Sequence, residues 1–168
     1  MRTSMLTMGL CAAIGLTAAA PEANARSRYE SMFFNSHGNA TCYARTYDLK
    51  QVRRGIPYRF TVDLDPGSAE GTDNNFALRL SIQLQRTKFL YWAVSYCKVK
   101  DKGFVCQVEG DGGQFRLTPV GTSLRLTTRR IQIEGNKADL DLSAKNGKDR
   151  YFTLLQSSPR TCAKVYGN

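Results

Sequence analysis

Nine consecutive residues, "FALRLSIQL" (Phe76–Leu84), constrain this chain more than any other stretch. Phe76, Leu78, Leu80, Ile82 and Leu84 fall on one side, and Arg79, Ser81 and Gln83 on the other. Successive side chains of an extended strand point to opposite faces. A period of two kept this strictly therefore describes a strand with one face in a core and one in water. The same period runs through "YRFTVDLD", where Phe60, Val62 and Leu64 oppose Arg59, Thr61 and Asp63. It returns in "QFRLT", "SLRLTTRRIQIE", "ADLDLS" and "RYFTLLQ", separated by "GDGG", "PVG", "GNK" and "KNGK". Asn-Gly and Asp-Gly tolerate positive φ and suit hairpin turns. The expected fold is all-β, an antiparallel barrel or sandwich of about eight short strands.

One strand breaks the pattern. In "FLYWAVSYC", Phe89, Tyr91 and Ala93 share one face, while Leu90, Trp92, Val94 and Tyr96 share the other. A strand apolar on both sides is either covered on both or presents aromatics to a ligand. The covered reading is the expectation, because large apolar side chains are usually buried. The helix signal is confined to "YDLKQVRRG", where Asp48 can cap a short turn that Gly55 and Pro57 would end, so at most one short helix is expected. Residues 26–41 have no clean period and read as a loose N-terminal arm, with Met32, Phe33 and Phe34 able to dock.

The N-terminus sets the compartment. Arg2 precedes an apolar, small-residue run from Met5 to Ala20, and Ala23-Asn24-Ala25 is a small-x-small cleavage site. This is the pattern of a secretory signal peptide, too short for a comfortable span. Residues 1–25 are therefore set aside with Cys11, which has no lipobox before it, and residues 42–168 form one domain. Four cysteines remain, Cys42, Cys97, Cys106 and Cys162. An even number in an exported chain reads as two disulfides with three possible connectivities. No Cys-x-x-Cys spacing suggests zinc or a thioredoxin-like site. Cys97 and Cys106 flank the turn glycine Gly103 and are expected to bridge adjacent strands. Cys42 and Cys162 would then tie the two ends of the domain.

A formal charge of +10 points to anionic partners, and in an exported protein to glycan, lipid phosphate or an acidic protein rather than nucleic acid. The single histidine, His37, cannot supply a triad or a multi-histidine metal site, and no cofactor motif is present. Asp139 and Asp141 share one face, but exposed neighbouring aspartates more often keep a surface soluble than catalyse. Asn39-Ala40-Thr41 matches a glycosylation acceptor, which matters only in a glycosylating host. The chain thus reads as a binder with no catalysis.

Two contact surfaces are candidates. Tyr43, Arg45 and Tyr47, with Arg53 and Arg54, would combine rings and guanidinium groups near the Cys42 bridge. Glu109 and Asp111 flank Gly110 in a turn that could enter a partner's cleft, though one acidic pair offers too few oxygens for calcium. Two further basic groups, Lys98/Lys100/Lys102 and Arg125/Arg129/Arg130, read as separate clusters.

"CYARTYD" at Cys42–Asp48, together with "GFVCQVEGDGGQF", "DRYFTL" and the closing "RTC", resembles a family of small exported alphaproteobacterial proteins. Some of these look like relatives of periplasmic inhibitors of lysozyme-type peptidoglycan hydrolases. The resemblance implies a periplasmic inhibitor of such an enzyme. The alternatives are a module binding anionic cell-wall glycan or lipid and, third, a secreted hydrolase using exposed carboxylates. The Ser-Gly-x-x-Tyr loop of the inhibitors of c-type lysozyme does not occur here. A charge of +10 also suits an acidic or neutral hydrolase better than a basic one.

Overall fold

A computed structural model describes residues 26–47, 57–66, 71–84, 90–134, 139–143 and 150–163. It contains strands β1 (Cys42–Thr46), β2 (Pro57–Leu64), β3 (Phe76–Leu84), β4 (Leu90–Lys100), β5 (Gly103–Val108), β6 (Gly113–Val120), β7 (Ser123–Ile133), β8 (Leu140–Asp141) and β9 (Arg150–Ser157). Two short helices, α1 (Arg28–Phe33) and α2 (Pro159–Ala163), flank them. Each of β1 to β7 pairs antiparallel with its successor, and β9 closes the circle between β7 and β1. The result is a closed eight-stranded up-and-down barrel, with β8 a two-residue ladder on the end of β7. Closure removes the exposed sheet edges that a sandwich would retain.

The alternation read from the sequence sets which way each strand faces. Val62 pairs with Leu80, Leu80 with Ala93, and Leu117 with Leu126, all pointing inward. A barrel of this size is just wide enough for side chains to fill. Here Phe60, Phe104, Phe115 and leucines of β3, β6 and β7 occupy it. On the outer face Asp63 pairs with Arg79, and their side chains form an ion pair at 2.9 Å that favours this register. Gly113, at φ +92, sits where a Cβ would collide with the Arg130 carbonyl, so a bulged ladder can pass close by.

Both disulfides form as expected, Cys97–Cys106 and Cys42–Cys162. Cys97 and Cys106 are direct partners across β4 and β5 and point into the core, so this bridge is a structural staple. Cys162 lies on α2, which covers the outer face of β1 and β2 above Cys42 and Ala44. Arg59 donates to the Thr161 carbonyl at 2.7 Å and helps hold α2 down.

Two features correct the sequence reading. The segment expected to be a loose arm is ordered. Ser27 accepts from the Glu30 N–H, Glu30 accepts from the Ser27 N–H, and the Asp73 carboxylate accepts from the N–H groups of Arg28 and Tyr29. This is a capping box, and the Ser-x-x-Glu at Ser27–Glu30 was its visible signature. Tyr29 and Phe33, four residues apart, bury one face of α1 among Tyr43, Phe76 and Phe104 and close one end of the barrel. The polar "NSHGN" that disguised the period is a turn, with Asn35 Oδ1 accepting from the N–H groups of His37 and Asn39. Among the described residues the short helices are therefore two, at the termini of the barrel, and the helical turn expected after Asp48 lies outside the described residues.

The second correction concerns β4. Its inner face carries Tyr91, Ala93, Ser95 and Cys97, as the period requires. Its outer face is not covered: Trp92 is 57% exposed and Tyr96 54%. A barrel has one inside, and α1 and α2 pack elsewhere.

Candidate functional site

Among its described residues, the first candidate surface does not form as one patch. Tyr43 pairs with Val62 and so points inward, only 2% exposed. Its hydroxyl donates to the Met32 carbonyl at 2.9 Å. Arg45 and Tyr47 are half-buried, with the guanidinium 5.4 Å from the Tyr47 ring centre. Arg53 and Arg54 lie outside the described residues. Odd-numbered residues of β1 face inward, which removes Tyr43 from any binding role and makes it part of the closure under α1.

Burial pushes the Tyr43 phenol above the ordinary tyrosine value of 10.0, partly offset by a hydrogen bond with Thr41. The folded state then holds its proton more tightly than the unfolded chain. The resulting stabilisation is complete below about pH 10 and is lost as pH rises through the higher folded value. Tyr43→Phe should cost about 1 kcal/mol at neutral pH, through the lost bond to Met32. It should also make the fall in melting temperature above pH 10 shallower than in the parent. An unchanged alkaline fall would mean that this hydroxyl reaches water.

The second candidate is placed as expected on an exposed turn. Glu109 and Asp111 lie between β5 and β6, at the barrel end opposite α1. Gly110 takes φ +67, the Glu109 N–H donates to the Val94 carbonyl, and the Gln132 N–H donates to the Gly112 carbonyl, so the turn is pinned to β4 and β7. With Trp92, Glu134 and Asp139 it borders an open cleft of about 410 Å³. Glu134 and Trp92 were not singled out from sequence as members of this site, because they are distant from Glu109 along the chain. Among the described residues no group of three or more His, Cys, Asp or Glu side chains could hold a metal ion.

Asp141, exposed on β8, is held below the usual carboxylate range by the hydroxyl and N–H of Ser143, the latter at 2.7 Å. A carboxylate kept ionised in this way is poorly suited to act as the general acid of glycoside cleavage, which needs a raised pKa.

A region of opposite sign covers the neighbouring wall. Lys98 and Lys100 of β4, Arg116 of β6, and Arg129 and Arg130 of β7 surround a groove of about 550 Å³. Lys98 and Lys100 of one basic cluster and Arg129 and Arg130 of the other, separate in the sequence, line one groove because β5 and β6 lie between β4 and β7 and bring them together; Lys102 and Arg125 are not among its lining residues. Arg116, two strands from Lys98, was missed for the same reason. Its guanidinium bonds Asp101 at 2.6 Å at the rim.

No family model, curated protein or solved structure matches this chain. Among the described residues no helix is long and apolar enough to cross a membrane.

Proposed function

We propose that this chain is an exported, disulfide-stapled binding protein of the cell envelope, and that its partner is a peptidoglycan hydrolase that it inhibits. The observation that carries this reading is the rigid, exposed Glu109–Gly113 turn standing beside the exposed ring of Trp92. A pinned turn loses little entropy on entering a cleft, and an exposed tryptophan at its side is the kind of anchor that dominates interface energetics. The core is occupied by side chains, so recognition falls to the outer wall. Export is supported by the N-terminal signal pattern and by two disulfides, which persist in oxidising compartments.

Charge segregation bears on the choice of enzyme. The chain is basic as a whole, yet Glu109, Asp111, Glu134 and Asp139 gather at this end. A local acidic rim can complement a cationic cleft even where net charge slows the encounter. A second reading, direct binding of anionic cell-wall glycan, is favoured by the basic groove on β4–β7.

The test is lysis of a peptidoglycan suspension by enzymes drawn from envelope extract onto the immobilised protein. A retained lytic enzyme, slowed stoichiometrically by the purified protein, is the expected result. Trp92→Ala and Asp111→Ala should each weaken inhibition by roughly tenfold or more while leaving the fold intact. If no lytic activity is retained, the hydrolase reading fails.

A further inference from the structure

The geometry points to a binding site for an acidic polysaccharide across the outer wall of β4–β7, separate from the Glu109 turn. Two adjacent cross-strand rows build it. In one, Lys98 lies opposite Val105, Val105 opposite Arg116, and Arg116 opposite Thr127. In the next, Tyr96 lies opposite Gln107, Gln107 opposite Gln114, and Gln114 opposite Arg130. The rows cross four strands, a span of roughly 14 Å at the usual strand spacing. That is too long for one phosphate group and suited to a chain of repeating charges.

The chemistry along the rows narrows the ligand. Five cations line the groove, and the carboxylate at its rim, Asp101, pairs with one of them, Arg116. Lys98 and Lys100 have no ion-pair partner among the described residues, so their charge faces solvent. Between the cations sit neutral hydrogen-bonding groups, the Gln114 amide and the Thr127 hydroxyl, matching a ligand that alternates charge with hydroxyls. Exposed rings stand at both ends: Tyr96 on β4, and on β9 Tyr151, which lies opposite Thr127 and is 71% exposed. Tyrosine rings give sugar faces an apolar surface with little side-chain entropy to lose.

A lipid headgroup fits less well. The apolar members of the groove are Val105, half-buried, and Phe115, buried, which leaves no seat for acyl chains. Single-stranded nucleic acid shares the charge and the stacking, but two disulfides place the protein in an oxidising compartment. The site rests only on the reading of this chain as an envelope binder, and not on any hydrolase partner.

The experiment is a titration with polygalacturonate as a uronic-acid probe, with a single-stranded oligonucleotide and anionic phospholipid vesicles in parallel and no hydrolase present. Lys98→Glu/Lys100→Glu should weaken polygalacturonate binding by roughly tenfold or more and flatten its salt dependence. Arg26→Glu/Arg160→Glu, which changes net charge equally at residues that do not line the groove, should lose no more than roughly threefold. Circular dichroism and thermal melts keep both variants comparable with the parent. Equal losses in the two variants would reduce the binding to net charge and overturn the site. Tighter, groove-dependent binding of the oligonucleotide or the vesicles would overturn the polysaccharide assignment. Inhibition of lysis is read separately with the Trp92 and Asp111 variants, so either conclusion can fail alone.

Discussion

Replacing Cys42 and Cys162 together by alanine should cost about 4–5 kcal/mol of stability, the value for freeing a loop of this size in the chain-entropy model. The bridge spans 120 residues and encloses nearly the whole barrel. It also sits at the weakest seam. β1 and β9 pair over three residues, Cys42 with Ser157, Tyr43 with Gln156 and Ala44 with Leu155, the shortest ladder in the barrel wall. The other seams of the wall run from four to eight paired residues. Without the bridge, α2 has little to hold it over Ala44 beyond the Arg59 bond to Thr161. The melting temperature should fall by roughly 10–20 °C, and amide exchange should quicken first in β1 and β9. A melt within a few degrees of the parent would show that the seam holds unaided. Cys97–Cys106 closes a much shorter loop, worth about 2.5 kcal/mol on the same account.

Phe33→Ala should destabilise the protein by about 3–5 kcal/mol, the range for removing a large aromatic from a packed core. Phe33 is 0% exposed, with ring centres of Phe76, Phe104 and Tyr43 at 5.5, 5.6 and 6.0 Å. A six-residue helix is far too short to persist alone, so α1 exists because Tyr29 and Phe33 are buried. Losing Phe33 therefore removes both its own contacts and the reason for the helix. It also uncovers the end of the barrel where Phe76 and Phe104 begin their strands. Denaturant unfolding followed by tyrosine and tryptophan fluorescence measures this directly. A loss below about 1 kcal/mol would show that the N-terminal segment does not plug the barrel.

The residues that hold the fold and the surfaces proposed for recognition thus lie at different places on this molecule. The aromatic plug lies at one end, the acidic turn with Trp92 at the other, and the basic groove on the wall between them. Variants at Trp92, Asp111, Lys98 or Lys100 alter exposed side chains that the core does not need. Their binding defects can be measured on folded protein.

Local periodicity determined much of this protein. The alternation in Phe76–Leu84 and Tyr58–Asp65 assigned strands and their inner faces, because the two-residue repeat belongs to the extended backbone itself. The spacing of Cys97 and Cys106 around a turn glycine, and the remaining pair at the domain ends, pointed to the two disulfides that the structure forms. The Glu109–Gly113 turn was legible from its glycines. Tertiary structure decided what periodicity cannot carry. Two arrangements of the same strands, a sandwich and a barrel, share one alternation, and only the pairing of β9 with β1 selects closure. The period also says that Trp92 and Tyr96 oppose Tyr91, not which side has water; with the barrel closed, one side is the core and theirs is solvent. Tyr43 passed for a surface residue because its arginine neighbours hid the phase that its pairing with Val62 reveals. The basic groove was invisible for the plainest reason. Lys98 and Arg130 are far apart in the chain, and cross-strand pairing through β5 and β6 is what places their charges along one groove.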